Sequence, residues 1–109
     1  MLASAAMPTI EELEKLVQQF PTKPFPRYGL AMEYKKAARW DEALTHFREA
    51  IKLDPNYTAA FFHAGMACES AGKIDDAKQF YREGLAAAQK IGNGHAASEI
   101  GAALAAIGG

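Results

Sequence analysis

The sequence predicts an all-α protein of about six helices, paired as hairpins that stack along the chain. Three observations carry that prediction. The chain repeats itself at an offset of thirty-four, the separation of Ala37 and Ala71; each repeat carries helical periodicity twice; and glycine or proline marks most of the breaks between helices. The same offset pairs Asp41 with Asp75, Ala43 with Ala77, Arg48 with Arg82 and Glu49 with Glu83. Conservative matches fill the gaps, with Ala31 facing Gly65, Trp40 facing Ile74, Phe47 facing Tyr81 and Ile51 facing Leu85.

Taken in order, residues 1–8 read as a flexible tail, since MLASAAM has neither a positive segment nor an apolar stretch long enough for a signal peptide. Residues 9–23 read as half a repeat. Stepping one period back from Phe47, Ala50, Ile51 and Pro55 lands on Leu13, Leu16, Val17 and Pro21, so a helix is expected over 10–20. Thr9 and Glu12 stand at capping-box spacing at its start.

Residues 24–57 form the first complete repeat. Leu30, Ala31 and Tyr34 mark the stripe of one helix, and Ala43, Phe47, Ala50 and Ile51 mark the next at i, i+4, i+7, i+8. Asp54-Pro55-Asn56 stops the second helix, because proline lacks an N–H and pushes its predecessor out of helical angles. Asn56 is then expected to cap the helix that follows.

Residues 58–91 repeat the arrangement. Phe61, Ala64, Gly65 and Cys68 form one stripe, Gly72 closes that helix, and Ala77, Phe80, Tyr81, Gly84, Leu85 and Ala88 form the other. After Gly92-Asn93-Gly94, residues 94–107 read as a C-terminal capping helix with Ala97, Ile100, Leu104 and Ile107 on one face.

Composition narrows the function. The chain has 109 residues, half of them hydrophobic, a formal net charge of −1 and one cysteine. That is one compact domain of ordinary soluble composition, with no global charge to recruit nucleic acid or an anionic membrane. One cysteine makes no internal disulfide, and a cytoplasmic location is the default expectation.

The chemistry-bearing residues do not assemble into a catalytic pattern. His63 and Cys68 are five residues apart, which on one helix separates them by roughly 140°. They do not converge on one metal, and His46 and His95 lie on other elements. Cys68 aligns with Tyr34, a packing position, and reads as a buried thiol; His63 reads as part of a ligand-facing wall or as a solvated side chain. Glu11, Glu12, Asp75 and Asp76 sit in first helical turns, where negative charge favours the helix dipole. No enzyme, metal or cofactor is expected.

With the repeat established, the chain resembles the tetratricopeptide repeat family, whose signature is W-x2-L-G-x2-Y, then A-x3-F, then P. Leu30, Ala31, Tyr34, Ala43, Phe47 and Pro55 match or nearly match it in the first repeat, with Arg27 at the tryptophan position. Phe61, Ala64, Gly65, Cys68, Ala77 and Tyr81 fill it in the second. Two departures stand out: Gln89 replaces proline and lets its helix run on towards Ile91, and Ala38 replaces the glycine expected between paired helices.

The resemblance implies a right-handed superhelix and a non-catalytic protein-interaction module binding a peptide or amphipathic helix in its concave groove. The groove-facing positions of the family fall on Phe25, Tyr28, Met32 and Lys35, then on Ala59, Phe62, Met66 and Glu69, with His63 flanking the second set. The spacing alone supports part of this. Phe25, Tyr28, Met32 and Lys35 recur at i, i+3, i+7, i+10, away from the packing stripe, so the helix has a second apolar face. Met32 and Met66 suit a surface that adapts to an apolar segment. Lys35 and Lys36 are expected to select an acidic element. Chaperone-adaptor members of the family clamp an acidic C-terminal tail through lysine and asparagine, but Tyr28 and Met32 stand at those first two positions, so that clamp is not expected here.

Two rival expectations stand beside the groove. The last helix covers these side chains, or the chain is a structural assembly unit that buries its apolar faces in a homo-oligomer. The C-terminal helix would serve the second, offering Ala96, Gly101, Ala102, Ala105 and Ala106 with little charge beyond Glu99.

Overall fold

The computed structural model describes residues 8–109, so the tail expected over 1–8 lies, apart from Pro8, outside the described residues. Six helices follow: α1 (Ile10–Gln19), α2 (Pro24–Lys36), α3 (Trp40–Leu53), α4 (Thr58–Ser70), α5 (Ile74–Lys90) and α6 (Gly94–Ala106). The described residues contain no strand.

Each start and stop has a local cause. Thr9 accepts from the Glu12 N–H at 3.1 Å while the Thr9 N–H donates to Glu12 Oε1 at 2.8 Å, a reciprocal box that opens α1. Pro24 opens α2, where its missing N–H costs nothing. α2 ends with Arg39 donating to the Tyr34 carbonyl and Ala38 to the Lys35 carbonyl, a reverse turn that holds Ala38 at φ 59°. α4 ends on the same bonds one period later, with Gly72 at φ 77°. Glycine takes that conformation freely; at Ala38 the Cβ costs roughly 1–2 kcal/mol.

The turn into α4 differs from the sequence expectation. Asn56 does not cap the helix. Its backbone N–H donates to Asp54 Oδ1 at 3.0 Å, closing a tight turn after α3, and Tyr57 becomes the residue before α4, with no side-chain cap. The helix begins at Thr58, so the capping position falls on Tyr57, one residue beyond Asn56.

Packing follows the order of the chain. α2 packs on α3 and α4 on α5 as hairpins, while α3 meets α4 and α5 meets α6. Small residues set the closest approach. Ala31, Ala43, Gly65 and Ala77 are buried, and a Cβ placed on Gly65 would lie 2.6 Å from Tyr81 Cδ1. Phe47 and Tyr81 fill the space beside these seams and are fully buried, each contributing about 1.5–3 kcal/mol. Cys68 is buried as expected, whereas Ile51 and Leu85 are only partly covered.

The backbone of α4 approaches α2 on one side and α6 on the other, whereas those of α3 and α5 do not approach each other. The stack, 45 × 28 × 25 Å, is therefore concave on the side of α2, α4 and α6.

Candidate functional site: the concave face

The stripes that bury Leu30, Ala31 and Tyr34 from α2, and Phe61, Ala64 and Cys68 from α4, rotate a second set of side chains onto the concave side. There the two helices supply a continuous half-buried surface. Tyr28 is its centre. Its ring stacks on Tyr57 with centroids 5.0 Å apart, meets His63 edge-on at 6.1 Å, and touches the buried Phe47 ring at 6.1 Å. Phe62 continues the wall, 5.3 Å from His63 and 6.3 Å from Tyr81. Met32 and Met66 pack partly buried against the core beside them. Phe25 lies at the rim, 67% exposed, its ring 6.5 Å from Tyr28. Ala59 is partly exposed on the second helix of the face.

The polar members are held by one another. Lys35 Nζ lies 3.2 Å from His63 Nδ1, across the gap between α2 and α4. An ammonium only donates, so Nδ1 accepts and the imidazole proton sits on Nε2. Burial lowers the pKa of Lys35. Burial first, and the Lys35 charge second, hold His63 below its ordinary value, with Glu99 opposing. Glu69 accepts a hydrogen bond from the Tyr81 hydroxyl, and burial followed by that bond pushes the phenol well above its usual range. One carboxylate oxygen of Glu69 is thus committed to the core.

Of the two lysines expected to select an acidic element, Lys36 does not belong to this face. It is exposed and paired with Glu33 at 3.3 Å, because one residue beyond Lys35 is about 100° further round the helix. The last helix also departs from expectation. Ala96, taken as part of an outward-facing set, is buried; Ala102, Ala105 and Ala106 are exposed and Gly101 is partly so.

The reason is a change of register. α6 repeats α4 at an offset of thirty-six, the separation of Ala60 and Ala96, which also matches Ala64 with Ile100, Gly65 with Gly101 and Cys68 with Leu104. The matched residues Ala60, Ala96, Ala64, Ile100, Cys68 and Leu104 are all buried. α5 is 17 residues long against 14 for α3, so α6 begins later than a fixed period would put it. In this register Glu99 stands at the position of His63, and from a third helix its charge favours the imidazolium. Periodicity at thirty-four missed Glu99; the alternative period, read from the glycine and alanine pattern, finds it. Tyr57 was missed as well, since it precedes α4 and no helical stripe contains it.

Another depression lies between α3 and α5 on the convex side, lined by Arg48, Lys52, Asp76, Gln79, Phe80 and Glu83. Arg48 lies over the Phe80 ring at 5.1 Å and covers it. That surface is of mixed charge and its aromatic ring is already capped. The concave face, by contrast, leaves Tyr28, Met32, Phe62 and Met66 half open. Among the described residues no group of three or more histidine, cysteine, aspartate or glutamate side chains is placed to hold a metal ion. No helix there is long and apolar enough to cross a membrane.

The tetratricopeptide repeat profile matches residues 34–107. A TPR repeat-containing protein of Pseudomonas aeruginosa is 32% identical over 91 residues, spanning 84% of this chain and 87% of that protein. A Bordetella parapertussis protein solved in solution superposes with a TM-score of 0.79 at 29% identity, covering 94% of this chain and 89% of that one. PcrH, crystallised with the chaperone binding region of PopD, superposes with a TM-score of 0.84 at 20% identity, covering 90% of this chain and 74% of its own.

Proposed function

Because the chain belongs to the tetratricopeptide repeat family, whose domains generally mediate protein–protein interaction, we propose that it is a non-catalytic interaction module that receives a peptide or amphipathic helix on its concave face. One observation carries this reading: α2 and α4 keep a second apolar face, with Tyr28, Met32, Phe62 and Met66 half open beside a buried core. A helix with two apolar faces packs on both sides or presents one to a partner. In favour of an open face, α6 packs on α4 and α5 but not on α2, and Tyr28, Met32, Phe62 and Met66 keep part of their surface exposed. The use of the same fold by PcrH to hold a segment of PopD supports the reading by analogy of fold.

Within it, Tyr28, Phe62 and Met66 are the anchors, with Met32 adapting beside them, Phe25 and Ala59 at the margins, and Glu69 holding Tyr81 in place. The proposed unit runs over 9–107, with α6 extending the wall as a third inner helix.

The test uses peptides selected against the wild-type protein from a display library. Tyr28→Ala and Phe62→Ala should each weaken their binding at least tenfold, about 1.4 kcal/mol, as truncated aromatic anchors do. Circular dichroism should show both variants folded. If both unfold the domain, these rings are core and the groove is misplaced.

A second reading, self-association, has the exposed Ala102, Ala105 and Ala106 in its favour. Sedimentation across a wide concentration range separates the two, since a groove module sediments unchanged.

A further inference from the structure

Lys35 is a half-buried cation whose partner carries no charge. Among the described residues no carboxylate lies within 4.0 Å of its Nζ, although Lys36, Lys52 and Lys73 each have one. Its contact is His63 Nδ1 at 3.2 Å. The hydrogens left over, on Nζ and on Nε2, are all donors. The pair therefore presents a donor-only, positively charged spot on an apolar wall, with Tyr28 and Phe62 rings 6.1 and 5.3 Å from the imidazole. Such walls weaken solvent screening and strengthen a charge–charge contact made between them.

Given the groove reading above, on which this inference rests, we propose that the partner segment presents an acidic side chain that lodges between Lys35 and His63, and that its binding takes up one proton at His63. The balance is simple. In the free protein Nζ–H donates to Nδ1 and the imidazole is neutral. When a carboxylate enters, the Lys35 ammonium turns to it. Nδ1 loses its donor, accepts a proton from solvent, and donates in turn to the carboxylate. One carboxylate then receives two charge-assisted hydrogen bonds, and no bond of the peptide changes.

The charged and titratable groups facing His63 are Lys35 and Tyr28 from α2 and Glu99 from α6. Glu99 is exposed and has no ion pair among the described residues, so it favours the imidazolium without neutralising Lys35. Burial and Lys35 together keep His63 neutral until a ligand anion reverses the balance. This arrangement is separate from a tail clamp, since the two groups read a side chain and stand on adjacent inner helices.

Two synthetic leucine-rich amphipathic helices, capped at both ends and differing only in a central glutamate or glutamine, test the proposal. Titration calorimetry gives affinity, and NMR of the His63 ring gives its protonation. A nearby carboxylate raises an imidazole pKa by about one to three units, so the glutamate peptide should bind from a few-fold up to about a hundredfold tighter at about pH 6 than at about pH 8. The glutamine peptide should bind equally at both.

Lys35→Met should reduce the preference for glutamate, His63→Gln should remove the pH dependence, and Lys36→Met should change neither. Equal binding of the two peptides at both pH values, or a His63 ring that titrates identically with and without the glutamate peptide, overturns the proposal while the groove reading stands. Failure of both peptides to move the Tyr28, Phe62 and Met66 resonances removes the groove reading and this one together.

Discussion

Gly65 and Gly101 occupy matching places on α4 and α6, yet alanine at the two positions should act in opposite directions. Both glycines lie inside helices, where alanine is favoured by about 1 kcal/mol on propensity alone. At Gly101 nothing opposes that gain, because the nearest atom to an added Cβ is Leu85 Cδ1 at 3.9 Å, an ordinary contact. At Gly65 the added Cβ would lie 2.6 Å from Tyr81 Cδ1 and 2.7 Å from Tyr81 Cζ.

The ring has little room to retreat. Tyr81 is fully buried, its hydroxyl is bonded to Glu69, and Phe62 lies 6.3 Å away. Overpacking of this kind costs about 1–3 kcal/mol, so Gly65→Ala should come out roughly 0–2 kcal/mol less stable than wild type. Subtracting one variant from the other cancels the propensity, leaving a difference of about 1–3 kcal/mol, or upwards of about 4 °C in Tm for a domain of this size. Urea and thermal melts of both variants measure it. Equal shifts for the two would refute the packing argument and, with it, the register that matches α6 to α4.

Other expectations are simpler. Ala38→Gly should raise stability by about 1 kcal/mol in a thermal melt, since it relieves the φ of 59° where Gly72 already supplies glycine one period on. Cys68 is buried and burial pushes its thiol pKa up, so a disulfide reagent should react with the native protein only as fast as the protein unfolds; rapid reaction would place the thiol at the surface. His46, beside Arg27, and His63, beside Lys35, both sit below their ordinary value, in each case mainly through burial. The folded state prefers them neutral, so their contribution is intact above the unfolded pKa and declines as pH falls through about 6.5. Tm should therefore drop between about pH 7 and about pH 5.5, and His46→Gln with His63→Gln should flatten the profile.

The parts of the fold legible in the sequence were those whose signals are local. The Thr9–Glu12 box, the seam of Ala31, Ala43, Gly65 and Ala77, and the left-handed turn at residue 38 all follow from spacing within a turn or a period. Three features were not legible in that way. The start of α4 at Thr58, one residue later than an Asn56 cap requires, is not signalled by composition. The longer α5 shifts α6 by two residues against a fixed period, which turns Ala96 inward and brings Glu99 to the concave side. The pairing of Lys35 with His63 is tertiary, since it depends on how closely two hairpins stack. Helical spacing puts both residues on the inner helices but leaves their contact to the stacking.

The connection pattern of the six helices also has a kinetic meaning. Because each helix rests chiefly on its chain neighbours, little loop-closure entropy stands in the way of assembly, and folding should be fast and start wherever a hairpin first forms. By the same logic the ends loosen before the middle. α1 rests on α2 alone, whereas α4 is braced by α2, α3, α5 and α6, so amide exchange should be graded outward from α4. The proposed recognition face would thus be anchored on the slowest-opening element, and the Lys35–His63 contact spans the junction whose opening would divide the stack into two.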